Sequence, residues 1–356
     1  MQDWKLSIGT AGAIGLRHLK TDAPPTTAYI MLGERCLRNC AFCAQARAST
    51  AGAKFLSRVA WHGEEEDRAI QAIGAAYREG KIKRVCLQVV ETPDSFAIVA
   101  RALAKFKAYP GLPVVVSCHV ANVAQAEHLF ALGAARLGIA LDVATPALFA
   151  KIKGGSFEKR WQLLSACAAK FPGKITTHLI VGLGETEKEM WELMCACVAR
   201  KITVALFAFT PLQGTPLAAT PPPDRSSYRR LQIGLELLRR GYPATVVHCD
   251  ATRITAIDLP HLAELLADGH AFYTCGCPDC NRPYYNDHPG RPLYNYHRPL
   301  TPVELTAALG ESDLAQLSCE ADAAAVSSAP GSGTTVLSVS AVASITATRE
   351  KDAHHA

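Results

Sequence analysis

Short apolar segments alternate with longer amphipathic segments between residue 27 and about residue 260. The apolar segments predict strands at Thr27–Leu32, Arg84–Val90, Pro113–Cys118, Arg136–Leu141, Ile175–Gly182, Val204–Phe209 and Thr245–Cys249. The amphipathic segments predict helices at Glu64–Glu79, Ser95–Ala108, Ala124–Leu132, Phe157–Lys170, Glu187–Lys201 and Ser226–Arg240. Because the strands are apolar almost throughout, we expect them to run parallel beneath a cover of helices. The pattern therefore predicts an α/β chain with a (β/α) TIM-type barrel, partial or complete, over residues 1–260.

A compact cysteine motif follows the first predicted strand directly. Cys36, Cys40 and Cys43 have the spacing C-x3-C-x2-C, and Phe42 precedes the last of them. Three thiolates this close together can hold three corners of a cubic 4Fe–4S cluster, and the fourth iron is then free to bind a small molecule. The alternatives are a zinc knuckle or buried apolar cysteines. Zinc sites usually pair two short cysteine hooks, whereas the next cysteine here is Cys86, so the spacing favours the cluster.

Composition narrows the class of protein further. The chain has 356 residues, 13 cysteines and a formal net charge of +5, with its basic residues dispersed, which argues against a nucleic-acid partner. It has neither a signal peptide pattern nor an apolar run of membrane-spanning length, so we expect a cytoplasmic protein without a membrane partner. Many cysteines in a reducing compartment indicate metal binding rather than disulfides. Apolar helical surroundings predict ordinary core positions for Cys167, Cys195, Cys197 and Cys319.

A second motif is the glycine-rich strand end HLIVGLGET at residues 178–186. Gly182 and Gly184 would let the backbone approach a ligand without interference from a Cβ atom. Glu185 then begins a helix, where the helix dipole favours an acidic residue. Taken alone, this pattern is shared with many tight turns.

Together, the cysteine triplet and the glycine-rich strand end resemble the radical S-adenosylmethionine (radical SAM) superfamily. Over residues 25 to 255 the chain also resembles biotin synthase and its relatives, through residues 180–186, Gln45 after the cluster loop, and the run Gly214-Thr215-Pro216-Leu217. The resemblance implies that a reduced 4Fe–4S cluster on Cys36, Cys40 and Cys43 cleaves SAM to a 5′-deoxyadenosyl radical. It further implies that SAM lies against these residues: Phe42, Asp142, Ile180, Gly182, Gly184 and Glu185.

The resemblance to biotin synthase breaks at its second cluster, which three strand cysteines and one arginine hold. Cys86 and Cys118 retain two of those cysteines, but Thr176 replaces the third. The arginine position falls on His248, beside Cys249, and the asparagine-rich strand of biotin synthase is also missing. Biotin formation is therefore disfavoured. Cys86, Cys118, His248 and Cys249, together with His178, remain candidate ligands of a rebuilt auxiliary metal site, and inert buried thiols are the alternative.

A third motif lies in the predicted C-terminal extension, residues 261–310. Cys275, Cys277 and Cys280 have the spacing C-x-C-x2-C around a glycine and a proline, which again suits a metal. Zinc would need a fourth ligand, for which His270, His288 and Cys249 are available in sequence. The sulfur-rich context favours a second iron–sulfur cluster. The Ala/Ser-rich residues 321–356 are predicted to be a disordered tail.

The barrel and the CGCPDCNRPYYN extension together resemble the biotin-synthase-like proteins that act in pairs as a two-component lipoyl synthase. This resemblance implies sulfur insertion into a protein-bound octanoyl chain, with an auxiliary cluster as sulfur donor. It also implies the partners: SAM, an octanoylated lipoyl carrier domain, a paralogous radical SAM protein, and an electron donor such as ferredoxin or flavodoxin. The alternatives are a related radical SAM enzyme without an octanoyl substrate (biotin synthase, a mutase or a methyltransferase-like enzyme) and a non-enzymatic metal scaffold.

Overall fold

A computed structural model describes residues 4–317. The strands are β1 Trp4–Ser7, β2 Thr27–Leu32, β3 Phe55–Leu56, β4 Val59–Glu64, β5 Arg84–Val89, β6 Val114–Ser117, β7 Arg136–Gly138, β8 Ile175–Val181, β9 Thr203–Ala208, β10 Val247–Cys249 and β11 Ile254–Ile257. The α-helices are α1 Ile8–Ala13, α2 Glu66–Arg78, α3 Ser95–Phe106, α4 Val123–Ala131, α5 Pro146–Ile152, α6 Phe157–Lys170, α7 Glu187–Ala199, α8 Arg225–Arg239, α9 Leu262–Leu266 and α10 Pro302–Gly310. Short 3-10 turns occupy Ala244–Val246 and His270–Phe272.

The strands of residues 4–317 form one large sheet of nine strands in the order β3-β4-β1-β2-β5-β6-β7-β8-β9, and a separate pair, β10-β11. From β2 to β9 the six neighbouring strands β2, β5, β6, β7, β8 and β9 are parallel. The sheet curls into a half-barrel, which confirms the prediction of a partial α/β barrel. Antiparallel β1 and β4 extend it beyond β2.

Strand register decides which side chains face the inside of the half-barrel. Tyr29 of β2 pairs with Cys86 of β5, which in turn pairs with Val115 of β6. Since side chains alternate along a strand, the intervening residues Ile30 and Leu87 point the other way and are fully buried in the main core. The inner face is therefore separate from the helix-covered core.

The seventh predicted barrel strand, Thr245–Cys249, is wrong. The chain forms the turn Ala244–Val246 after Pro243, and the short β10 then pairs antiparallel with β11, outside the half-barrel. Proline fixes the backbone at this point, and the remaining apolar run is too short to continue a barrel strand. The sequence also gave no sign of β1, which at four residues is too short to show a pattern.

The cysteine loop of the C-terminal extension packs against the N-terminal ends of the parallel strands. Asn281 accepts a hydrogen bond from the Thr26 amide at 3.0 Å, just before β2 begins. Asp279 lies 3.6 Å from the guanidinium of Arg84, the first residue of β5. On the other side of the half-barrel the same loop contacts β9, where the Leu206 backbone amide donates to Cys275 Sγ. The loop thus spans from β2 to β9.

The predicted tail, residues 321–356, lies outside the described residues.

Candidate active site

A cavity of about 600 Å³ occupies the inside of the half-barrel. Inward-facing side chains of the parallel strands line it, among them Tyr29, Cys86, Val115, His178 and Phe207. The loop after β2 lines it at the C-terminal ends of the strands, and the extension lines it toward their N-terminal ends. Its volume is typical of sites for small molecules and cofactors.

The loop with the first cysteine triplet begins where β2 ends. Gly33 has φ +91°, and a Cβ atom there would lie 3.0 Å from a carbonyl oxygen just beyond β5, so the turn requires glycine. The Cys36 amide donates to the Gln45 carbonyl at 2.9 Å and closes the loop. Cys36, Cys40 and Cys43 all line the cavity, so the local motif delivers its three thiols to one space.

Burial controls the protonation of these thiols. It raises the pKa of Cys43 to about 12, and the nearby Cys40 and Cys36 act in the same direction. Burial also raises the pKa of Cys40, while the ammonium of Lys153 opposes the shift. Thiols of this kind lose their protons when they coordinate a metal, because the metal charge outweighs the burial effect.

The cavity wall also holds two buried polar atoms with no hydrogen-bond partner among the described residues: Gln45 Oε1, an acceptor, and Trp61 Nε1, a donor. Each such atom costs about 1–3 kcal/mol when left unpaired, and neither is exposed to the cavity itself. The three convergent thiols fit an iron–sulfur cluster. Within residues 4–317, no three His, Cys, Asp or Glu side chains are placed to hold a single metal ion. In a cluster, by contrast, each thiolate binds a different iron atom.

Of the residues predicted to contact SAM, three line the cavity: Phe42, Asp142 and Ile180. Asp142 has φ +67° and its backbone bridges to β8, which directs the side chain inward from the end of the neighbouring segment. Its Oδ2 accepts from Nζ of Lys153 at 2.5 Å, and Lys153 also donates to the Ala140 carbonyl at 2.9 Å. The pair places a charged donor and acceptor beside the cluster loop.

A second group of thiols lines the cavity toward the N-terminal ends of the strands, formed by Cys86, Cys277 and Cys280. Burial raises the pKa of the Cys86 thiol, and the nearby Cys277 and Cys280 add to the shift. Cys280 Sγ lies 3.2 Å from the Tyr29 hydroxyl, and Cys277 Sγ lies 3.7 Å from the Thr176 hydroxyl. Residues distant in sequence thus meet beneath the first triplet.

Residues 30–195 match the model of the Radical SAM superfamily. The match spans 166 of the 356 residues, and these residues resemble a radical SAM domain. Members of this superfamily use a 4Fe–4S cluster together with SAM, and Cys36, Cys40 and Cys43 are the residues of this domain that fit the cluster.

This chain is also similar to individual proteins. It is 27% identical over 202 residues to biotin synthase from Synechococcus sp. (strain JA-3-3Ab); the match covers 53% of this chain and 61% of that protein, so the chain spans less than two thirds of this relative. Among solved structures, methylornithine synthase is 18% identical with a TM-score of 0.47, over 63% of this chain and 67% of that chain. The FeFe-hydrogenase maturase from Carboxydothermus hydrogenoformans is 14% identical with a TM-score of 0.48, over 73% and 60% of the two chains.

The glycine-rich strand end, predicted to contact SAM, lies only partly on the cavity wall. Gly182, Gly184 and Glu185 do not line the cavity. A Cβ atom at Gly182 would lie 2.9 Å from Pro223, so close packing explains this glycine. Both carboxylate oxygens of Glu185 accept from backbone amides of the turn, one of them from Gly182 at 2.7 Å. Burial raises the pKa of Glu185, and these amides act against the shift. The motif holds the turn, and Ile180 alone of its predicted contacts reaches the cavity.

The candidate auxiliary ligands separate into different places. Cys118 follows the C-terminal end of β6 and lines the cavity there. Burial raises its pKa to about 12, and Glu91 adds to the shift. Cys118 therefore does not share the surroundings of Cys86. His248 and Cys249 lie on β10, outside the half-barrel and away from the cavity wall, so the structure does not bring them together with Cys86. The exposed His270 and His288 do not line the cavity either.

Cys275 is likewise corrected, because it turns away from the cavity. Its side chain is buried, and its Sγ accepts a hydrogen bond from the Leu206 amide at 3.1 Å. The spacing C-x-C-x2-C is compatible with three converging thiols, but the free edge of β9 takes one of them as a hydrogen-bond acceptor.

Several charged residues of the site were not recognised from the sequence. Arg282 and Tyr285 follow Cys280 within the extension and line the cavity. Lys153 lines it from the segment after α5 and Arg160 from α6, and Arg38 enters from the cluster loop, where it donates to Glu91 at 2.7 Å. The run NRPYYN beside Cys280 was a usable signal for the first two; the others depend on the fold.

No helix within residues 4–317 combines the length and apolarity needed to cross a membrane.

Proposed function

We propose that this radical SAM chain inserts sulfur into a protein-bound octanoyl chain, as one component of a lipoyl synthase. One observation carries the proposal: a single cavity has Cys36, Cys40 and Cys43 at one end and a second group of thiols, including Cys277 and Cys280, toward the other. A substrate between them would have a hydrogen-abstracting site on one side and a sulfur-bearing site on the other.

The chemistry requires both sites. When bound, the reduced cluster and SAM supply a primary carbon radical that takes a hydrogen atom from an unactivated C–H bond. When loaded, the site would exchange one C–H bond for one C–S bond at each substrate carbon. The hydrogen would leave on the adenosyl group, whose formation from SAM takes one electron from an external donor such as ferredoxin or flavodoxin. The sulfur would come as sulfide from the auxiliary centre, whose ferric iron would take up the electron released when the carbon radical bonds to sulfide. The described chain contributes position, since a carbon-centred radical must meet sulfur before water or oxygen reaches it.

The walls between the two sites suit an alkyl chain. Apolar side chains from several strands and loops line the cavity: Leu56, Val89, Val115, Phe149, Leu163, Ile180, Phe207, Phe209 and Leu212. Burying an alkyl chain against such walls contributes about 0.8 kcal/mol for each methylene group. The partners that follow are SAM, an octanoylated lipoyl carrier domain and a paralogous radical SAM protein that installs the other sulfur.

The direct test is anaerobic incubation of the reconstituted protein with SAM, a strong reductant and an octanoyl-lysyl carrier peptide, with and without a candidate paralogue. Mass spectrometry of the peptide should show the gain of one or two sulfur atoms. Cys277→Ala should abolish this gain while SAM cleavage to 5′-deoxyadenosine continues. Formation of 5′-deoxyadenosine with an unchanged peptide in every combination would contradict the octanoyl substrate and favour a radical SAM reaction without sulfur insertion.

A further inference from the structure

The cysteines of the extension and of β5 do not group in space as their sequence spacing suggests. The side chain of Cys275 is buried against β9 and, unlike Cys277 and Cys280, does not line the cavity; its Sγ accepts a hydrogen bond from the Leu206 backbone amide. Gly276, with φ +129°, comes so close to β9 that a Cβ atom on it would lie 3.0 Å from Ala205. This close approach fixes the start of the loop against the strand and leaves Cys277 as its first thiol on the cavity wall.

Cys86 takes the place that Cys275 leaves. It lies on the inner face of β5, in register with Tyr29 of β2. Cys86 and Cys280 both pack against one small apolar group formed by Tyr29, Met31, Trp61 and Val90, which Cys36 of the first triplet also contacts. The side-chain amide of Gln88 donates to Cys86 Sγ at 2.9 Å, and the Tyr29 hydroxyl contacts Cys280 Sγ at 3.2 Å. Both sulfurs therefore have polar neighbours that can stabilise a thiolate.

A positive charge lies within the same group. The guanidinium of Arg282 stacks on Phe207 at 3.9 Å from the ring centre and donates to the Cys275 carbonyl at 2.9 Å. Among residues 4–317, Arg282 forms no ion pair with a carboxylate. An enclosed guanidinium without an anion is costly, whereas thiolates on a metal centre are anionic and would balance it.

We propose that Cys86, Cys277 and Cys280 hold an auxiliary iron–sulfur centre beside Arg282, and that Cys275 is a structural residue rather than a ligand. Thiolate donors suit both zinc and iron–sulfur clusters; iron and sulfide are favoured because no three His, Cys, Asp or Glu side chains within residues 4–317 are placed to hold a single ion, whereas in a cluster each thiolate binds a different iron. This assignment does not depend on the octanoyl substrate, because it concerns what the chain binds before any substrate is present.

The test measures bound iron and sulfide rather than enzymatic activity. A parent variant with Cys36, Cys40 and Cys43 all changed to alanine would leave only auxiliary iron after anaerobic reconstitution of the full chain. Iron and acid-labile sulfide per chain, together with Mössbauer spectra, would be measured in this parent and in derivatives that carry one further change. Cys86→Ala, Cys277→Ala and Cys280→Ala should each lose most of the remaining iron and the cluster spectrum.

Two matched controls complete the experiment. Cys275→Ala should retain the parent's iron, although it loses a hydrogen bond to β9. Cys118→Ala, also on the cavity wall, should retain it as well. Far-ultraviolet circular dichroism of every variant separates a lost ligand from a lost fold, and Cys86→Ser provides a second substitution at the strand position. A parent without iron, or loss of iron in Cys275→Ala with retention in Cys86→Ala, would overturn the proposal.

Discussion

The hydroxyl of Tyr29 and the sulfur of Cys280 lie 3.2 Å apart although 251 residues separate them in the chain. Tyr29 belongs to the first parallel strand, and Cys280 belongs to the extension that spans from β2 to β9. The same hydroxyl accepts a hydrogen bond from the Arg282 amide at 3.2 Å. This relationship joins the extension to the half-barrel at the proposed auxiliary site.

Tyr29→Phe should loosen the cysteine loop without disturbing the half-barrel. The variant keeps the ring and loses the hydroxyl that meets Cys280 and Arg282, which should lower the free energy of unfolding by about 1 kcal/mol. Hydrogen exchange followed by mass spectrometry should show faster exchange in residues 275–285. Tyr77→Phe, on α2, is the matched control and should leave that segment unchanged. Equal exchange in both variants would show that the hydroxyl does not anchor the loop.

Gln45→Glu should destabilise the cluster loop. The side-chain amide of Gln45 donates to the carbonyls of Ala53 at 2.8 Å and Phe55 at 2.7 Å. A carboxylate there would face two acceptors in a buried place, which should cost about 2 kcal/mol of unfolding free energy. Urea unfolding would measure this loss. Gln71→Glu, on the exposed face of α2, should change stability by less than about 0.5 kcal/mol; a similar loss there would point to general charge effects.

Asp142→Asn should weaken SAM binding and leave the iron content intact. The change removes the charged acceptor that Lys153 contacts at 2.5 Å and leaves that ammonium without its anion in the cavity. We expect affinity for SAM to fall about tenfold, which corresponds to about 1.4 kcal/mol. Anaerobic equilibrium dialysis with labelled SAM provides the measurement, and Asp94→Asn on the surface is the control. Unchanged affinity would remove Asp142 from the SAM site.

Glu304→Gln should reveal an acid-sensitive contribution of the extension. Hydrogen bonds from Arg298, both at 2.8 Å, lower the pKa of Glu304 from 4.5 to about 2. Because the folded-state pKa is lowered, the ionised carboxylate stabilises the fold above about pH 4.5, and this contribution is lost as the pH falls toward 2.

The Glu304 side chain is partly exposed, at 27%, and solvent screens the ion pair, so the expected contribution is about 1 kcal/mol rather than the full value of the shift. Urea unfolding of the wild type and of Glu304→Gln should differ by this amount at pH 7 and converge as the pH approaches 2. A difference that stays constant from pH 7 to pH 2 would show that ionisation of Glu304 is not its source.

The sequence by itself determined the elements whose information is local. Alternating apolar and amphipathic segments were enough for the parallel strands, because burial on both faces leaves a continuous apolar run. The loop with Cys36, Cys40 and Cys43 was equally readable, because its spacing of three thiols within eight residues resembles that of a known cluster motif. The sequence also placed Asp142 and Phe42 near that loop through the family resemblance.

The tertiary structure alone decided which distant residues meet. Spacing grouped Cys275 with Cys277 and Cys280, but in the structure Cys275 Sγ lies against the buried backbone amide of Leu206 on β9 and does not line the cavity. Cys86 comes to face Cys280 because strand register sets it on the inner side of β5 and the extension folds back across the strands. A local pattern specifies neither a register nor a return path, since both are fixed by the burial of surfaces from separate parts of the chain.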